Sequence, residues 1–385
     1  MSIAARSESA ILPTYPARPR ALVRGAGCTV WDDEGTAYLD LVAGLAVCSL
    51  GHGHPVAAQA LAAQSAILGH VSNLYYSEPQ VALAERLRKL SGFSQAFFCN
   101  SGAEAVEASI KLARRRGGAG KHEIICLEGA FHGRTLATLA AGWSEAKRAP
   151  FQPVPGGFAH VPRNDEDALR AAVSDRTAAV LIEPLQGEGG VWPIDIPYLR
   201  LARELCDRHG SLLVFDEVQT GIGRCGSWFA FELTGVRPDA VALAKGLAGG
   251  LPIGALLADG GFERGDHATT FGGSPPIAAA ALAVLAAIER EGLVENARTL
   301  GGVLAARAGG VPGVCSVRGA GLLLGIELDR RADAVAAQLA RHGVLVNAIT
   351  ETALRLCPPL CLSAPEVEQF GDALEEVLRA PIILP

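Results

Sequence analysis

Five short apolar runs, separated by segments of helical periodicity, constrain the fold of this chain more than any other feature. They are Ala96–Cys99, Glu123–Leu127, Ala178–Ile182, Leu212–Phe215 and Ala240–Leu243. Runs of four or five residues without polar alternation suit strands buried on both faces. Between them, Glu104–Arg116 carries Val106, Ile110 and Ala113 on one helical face, with Glu107 placed four residues before Lys111. Such alternation predicts an α/β domain built on a mainly parallel sheet. The ends of the chain differ. Ala21–Val30 and Thr36–Leu41 look like a short meander, and beyond about residue 285 helices frame strand-like pieces at Gly321–Leu328 and Gly343–Val346. We therefore expect a large domain over residues 56–275 and a smaller α+β domain assembled from residues 1–55 and 276–385.

Composition narrows the function. With 385 residues, 49% apolar and 19% charged, the chain can bury a substantial core and is neither disordered nor fibrous. Lys and Arg total 34 against 40 Asp and Glu, a net charge of −6, so a nucleic-acid partner is not expected. The longest apolar stretch, Ile277–Ile288, falls short of the roughly 18 residues a bilayer span requires, and no membrane role is expected. Residues 1–8 lack the apolar core of a secretory signal, which points to the cytoplasm. Nine cysteines, odd in number and never spaced Cys-x-x-Cys, argue against a disulfide framework or a metal site. They read as small buried apolar groups.

Ligands of α/β sheets bind outside the carboxyl ends of the strands, so the residues following each run matter most. After Cys99 comes Asn100-Ser101-Gly102-Ala103-Glu104. Ser101 and Glu104 have capping-box spacing, and the plain reading is a well-capped helix. The functional reading is an anion cradle made by the N–H groups of Gly102 and Ala103 at a helix N-terminus. After Phe215 comes Asp216, and after Ala244 comes Lys245, which enters a glycine-rich turn. A carboxylate and an ammonium at buried strand ends either pair with each other or serve a ligand. Pyridoxal phosphate needs just such a couple: an amine for its aldehyde and an acid for its ring nitrogen. Spacing alone leaves both readings open.

The surrounding strings tip the balance. Tyr38-Leu39-Asp40, Gly51 to Pro55, Ser72 to Tyr76, Asn100 to Glu107, Phe131-His132-Gly133-Arg134-Thr135, Glu183 to Gly190, Asp216 to Arg224, Leu243 to Gly254 and Thr269 to Gly273 stand in one order. In that order the chain, from about Leu22 to Leu360, resembles the class III, ω-amino-acid-type aminotransferases of the fold-type I pyridoxal-phosphate enzymes. The resemblance implies a large domain with a mainly parallel seven-stranded sheet, a smaller α+β domain, and a homodimer with its sites at the subunit interface. It also implies roles. Lys245 would hold pyridoxal 5'-phosphate and move the substrate's proton, and Asp216 would keep the ring nitrogen protonated. Gly102, Ala103 and Thr270 would bind the phosphate, Thr270 reaching across from a second subunit. Phe131 and Val218 would cover the ring's faces, and Gln219 would donate to its 3-oxygen. Arg134 would clamp the far carboxylate of an ω-amino substrate and Arg355 the α-carboxylate of glutamate or 2-oxoglutarate. Glu183 would pair with Arg355 while the first donor is bound, and Thr269 would touch the substrate.

Within the family, ornithine-using members tend to carry Tyr where this chain has Leu45, so an apolar residue there implies an N-acylated donor. The resemblance thus implies transfer of the δ-amino group of N-acetylornithine to 2-oxoglutarate, a step of arginine biosynthesis. Succinylornithine, ornithine, 4-aminobutyrate and succinyl-diaminopimelate are the alternative donors. Racemisation or decarboxylation on the same cofactor, or a non-catalytic binding protein on the same scaffold, are rivals of other classes. Departures from the family pattern are Ser274 for Asn, the extra Pro276, and Cys48 where Asn is common. Three further motifs are weaker. Gly221-x-Gly223-x-x-Gly226 stands five residues beyond its strand and fails as a dinucleotide fingerprint, Gly187–Gly190 lacks the Lys of a P-loop, and His52-Gly-His54 reads as a turn.

Overall fold

The structure, a computed structural model, describes residues 2–16 and 18–379. Its centre is a seven-stranded sheet in the spatial order Gln95–Cys99, Gly254–Ala258, Ala240–Leu243, Leu212–Asp216, Thr177–Ile182, Glu123–Leu127, Phe158–Val161. Every pairing is parallel except those of Gly254–Ala258, which runs against both neighbours. The three central strands, Thr177–Ile182, Leu212–Asp216 and Ala240–Leu243, are buried at every position. That is why they show as continuous apolar runs. Gly254–Ala258 and Phe158–Val161 complete the sheet; the first is hidden in a glycine-rich string and the second is broken by His160.

Helix Gly102–Gly117 lies against this sheet and buries Val106, Ile110 and Ala113, the expected face. The Ser101 half of the capping box forms, while Glu104 reaches one residue further back. Ser101 Oγ accepts the Glu104 N–H at 3.2 Å, and Glu104 Oε2 accepts the Asn100 N–H at 2.8 Å. The expected Glu107–Lys111 pair does not form among the described residues. Glu107 accepts the Thr135 hydroxyl at 2.6 Å, and Lys111 Nζ lies 2.8 Å from His267 Nδ1, because loops packed on that face offer closer partners.

The two ends of the chain meet in a second region. Leu22–Ala26 and Thr29–Asp32 form a hairpin, so the run expected over Ala21–Val30 is two strands, turned where Gly27 takes φ +56°. Ala37–Asp40 continues the meander and pairs in parallel with Val344–Leu345 from the C-terminal part, Leu39 opposite Val344. Val314–Ala320, Leu323–Leu328, Ala353–Leu356 and Asn347–Ala348 make a separate antiparallel sheet. Helices Leu293–Gly309 and Ala364–Arg379 pack together beside it. The apolar stretch Ile277–Ile288 lies within helix Pro275–Arg290, packed against helices Pro55–Ile67 and Glu78–Ser91. Among the described residues no helix is long and apolar enough to cross a membrane. Of the nine cysteines expected inside, Cys315 is exposed, at the second position of a strand whose outer residues face solvent.

Candidate active site

Two neighbouring strand ends and the start of one helix deliver the reactive groups to one place. Asp216 closes Leu212–Asp216 and is almost fully buried. Its Oδ2 lies 2.8 Å from His132 Nδ1, and Oδ1 accepts the Val218 N–H at 3.1 Å. Lys245 begins the turn after Ala240–Leu243 with φ +40°, a backbone state that costs a non-glycine residue about 1–3 kcal/mol. The turn is pinned from outside by Ser49 Oγ, which donates to the Gly246 carbonyl at 2.8 Å. Burial, and then the Arg355 guanidinium, hold the Lys245 ammonium below the usual lysine range, which favours a neutral amine.

The third contributor is the start of helix Gly102–Gly117. The Glu104 and Ala105 N–H groups are taken up by Ser101, while those of Gly102 and Ala103 have no partner among the described residues. A Cβ on Gly102 would stand 2.6 Å from Val218 Cγ1, so a side chain there would collide with the wall formed by Val218. Gly102→Ala is expected to cost about 1–3 kcal/mol of stability and to weaken binding of a phosphate at this helix end. Thermal melts with and without cofactor check both effects.

These groups face a cavity of about 450 Å³. Gly102, Ala103, Phe131, Arg134, Glu183, Asp216, Val218, Gln219 and Lys245 all line it. Arg355 does not. It lies fully buried behind the wall, with Nη1 2.5 Å from Glu188 Oε1 and 3.3 Å from Gln219 Oε1, and Nη2 2.7 Å from Asn347 Oδ1. Glu188 stands between Arg355 and the cavity, whose lining it joins. Thr269 and Thr270 are also outside the lining. Thr269 Oγ1 accepts from Asn100 Nδ2 at 3.2 Å, and Thr270 is exposed.

Two expectations are corrected. Glu183 does not pair with Arg355; its Oε1 accepts the Phe131 N–H at 2.8 Å and its Oε2 the Gly187 N–H at 3.2 Å. Directly following Thr177–Ile182, it faces those two loops, where burial pushes its carboxyl up to about 7. The carboxylate on Arg355 is Glu188, five residues further along the same string. Leu45, expected as the apolar wall, is 41% exposed and outside the lining. Ala43, Gly44, Leu45 and Ala46 all have positive φ, a left-handed turn held by Asp40 Oδ1 accepting the Val42 and Ala43 N–H groups. That turn sends Leu45 outward and brings Val47 into the cavity, beside Leu251, Pro252 and Ile253.

His132 is the residue the sequence reading passed over. Its ring is buried, Nδ1 meets Asp216, and Nε2 has no partner among the described residues. Burial opposes its charge, yet the Asp216 hydrogen bond, together with the charges of Asp216 and Glu183, raises its pKa above the ordinary histidine value. It lies in Phe131-His132-Gly133-Arg134-Thr135, but a His beside a Phe does not reveal which way its ring turns.

Unpartnered helix-end N–H groups, a buried acid, a neutral-leaning amine and two apolar side chains, Phe131 and Val218, fit the phosphate, ring nitrogen, aldehyde and faces of pyridoxal phosphate. Comparison with known proteins agrees. The family model for class III aminotransferases matches residues 13–378. The chain belongs to that family. This aminotransferase is 50% identical to acetylornithine aminotransferase 1 of Bordetella bronchiseptica, over 96% of this chain and 98% of the relative. It resembles the crystal structure of N-acetylornithine aminotransferase from Stenotrophomonas maltophilia K279a, with TM-score 0.84, 37% identity, and coverage of 97% and 98% of the two chains. It also matches an ornithine aminotransferase structure from Toxoplasma gondii with partial occupancy of PLP, at TM-score 0.92 and 29% identity, covering 97% and 92%. The seven-stranded α/β architecture is that of the fold-type I transferases, and pyridoxal 5'-phosphate is the cofactor of this aminotransferase family.

Proposed function

We propose that this aminotransferase moves the δ-amino group of N²-acetylornithine to 2-oxoglutarate, giving N-acetylglutamate 5-semialdehyde and glutamate, as arginine biosynthesis requires. Kinship over nearly the whole chain with enzymes named for that donor carries the assignment. An apolar wall of Val47, Leu251, Pro252 and Ile253 supports it, since an acyl group suits such a surface and a free α-ammonium does not. The cofactor supplies an aldehyde that condenses with amines and a ring that takes up electrons from the adjoining carbon. The chain supplies the rest. Gly102 and Ala103 would hold the phosphate by backbone N–H, and Asp216, steadied by His132, would keep the ring nitrogen protonated. Phe131 and Val218, both in the cavity lining, would cover the faces of the ring and exclude water from them. Lys245 Nζ would hold the cofactor's aldehyde and, as a neutral amine, would accept the proton at the donor's δ-carbon.

Carboxylates are handled by arginines at two depths. Arg134, exposed at the mouth, meets the donor's far carboxylate. Arg355 is covered by Glu188 while that donor reacts and is uncovered for 2-oxoglutarate, so one site serves both half-reactions. Arg355→Ala should lower kcat/KM for 2-oxoglutarate by about 30-fold or more, the size of a lost buried charge-assisted contact, and affect the donor far less. Steady-state kinetics on both substrates check this; equal losses would contradict the two-depth arrangement.

The same reading has the enzyme acting in the cytoplasm as a homodimer. Leu74, Tyr75, Tyr76 and Phe271 are 82%, 71%, 96% and 62% exposed, a concentration of apolar surface that favours a partner. Asn73 Nδ2 donates to the Thr269 carbonyl at 2.9 Å, tying this surface to the segment that would carry Thr270 into the second subunit's phosphate site. Single-turnover reactions with acetylornithine, succinylornithine, ornithine and 4-aminobutyrate, followed by loss of the cofactor's visible band, test the donor. Acetylornithine should react fastest, and preference for a free ornithine or 4-aminobutyrate would overturn the assignment.

A further inference from the structure

A second cavity of about 180 Å³ adjoins the first and shares Phe131, Gly133 and Glu188 with it. Glu188 thus faces two spaces, with its side chain 31% exposed while it rests on Arg355. Lys147 lines the second cavity and not the first. Its ammonium sits 5.2 Å from the centre of the Phe131 ring and makes no hydrogen bond or ion pair among the described residues. The neighbouring cation on the same short helix, Arg148, is instead committed to Glu145 at 2.8 Å. Lys147 is therefore a half-buried cation without a counter-charge, next to a carboxylate that has two places to go.

The uncovering of Arg355 raises a physical problem. When a substrate carboxylate takes that guanidinium, Glu188 must leave, since two carboxylates on one edge repel. Gln219 shares Nη1 with Glu188 and Asn347 holds Nη2, while Nε has no partner among the described residues, so an incoming carboxylate would meet the guanidinium edge beside Glu188. A carboxylate displaced into a partly dry cavity without a cation is costly. We propose that Lys147 receives Glu188 in the second cavity, making it a positioning residue for the 2-oxoglutarate half-reaction. The proposal rests on the reading of Glu188 as the cover of Arg355. Charge balance agrees with the placement. Burial raises the Glu188 carboxyl, but Arg355, then Lys245 and Lys147, bring it below the ordinary glutamate value.

The test uses cofactor-loaded enzyme and glutarate, a dicarboxylate that cannot react, with its Kd read by calorimetry. Lys147→Gln should weaken glutarate by about 5- to 50-fold, the range of a half-buried charge contact, and Lys147→Arg should restore most of the affinity. Glu188→Gln should tighten glutarate, because no ion pair then has to be broken. In that background Lys147→Gln should have no further effect. If Glu188→Gln leaves glutarate affinity unchanged, the cover itself is refuted and the proposal goes with it. If Glu188→Gln tightens binding but Lys147→Gln weakens it equally in both backgrounds, only the part given to Lys147 is overturned.

Discussion

Lys245→Ala should lower turnover by at least about 10³-fold in both half-reactions, because one substitution removes both the covalent anchor and the proton-transfer base. The protein should remain folded. Lys245 is packed at the floor of a cavity, it makes no ion pair among the described residues, and its positive φ is a strain that Ala inherits without adding a clash. Cofactor should still bind through the Gly102 and Ala103 N–H groups and Asp216, reversibly and without a covalent link. Single-turnover kinetics with acetylornithine, beside a melting curve, separate lost chemistry from lost fold. Turnover within tenfold of the parent enzyme would remove Lys245 from the reaction.

Asp216→Asn is the second large effect. The amide keeps the shape of the carboxylate but not its charge, so the ring nitrogen loses the group that holds its proton. A loss of about 10²–10³-fold is expected, comparable to deleting one preorganised charge contact in a dry site. The loss should fall on both half-reactions alike, since each requires the ring to accept electrons. The His132–Asp216 contact at 2.8 Å adds a second consequence. Without the carboxylate only the Glu183 charge opposes the burial of the His132 ring, so its pKa should fall from its raised value. A histidine NMR titration of parent and variant reads that directly. Unchanged rates in either half-reaction would free Asp216 from the ring nitrogen.

Much of this architecture is legible along the chain for a simple reason. Strands covered on both faces cannot carry polar residues except where they end, so Asp216 and Lys245 stand out as chemistry against a silent background. The capping box at Ser101 and Glu104 is equally local, and its Ser101 half forms. What escaped depends on direction rather than identity. Glu183 and Glu188 are five residues apart, on either side of the short strand Leu185–Gln186, and no spacing rule says that the first turns to the N–H groups of Phe131 and Gly187 while the second reaches Arg355, 167 residues away. His132 was hidden in the same way, since only the fold brings it to Asp216. Leu45 shows the opposite error. Its apolar character is real, but four consecutive positive-φ residues turn it outward and hand its place to Val47. The Glu107–Lys111 pair, sound by helical spacing, lost to partners that only tertiary packing supplies.

On the proposed reading the side chain at position 245 carries the cofactor. Borohydride reduction of the loaded protein, followed by proteolysis and mass spectrometry of the peptides, tests it most directly. Reduction should leave one stable pyridoxyl-phosphate adduct, on the peptide containing Lys245. A label on any other lysine, or no label on a protein that retains its visible absorption band, would contradict it.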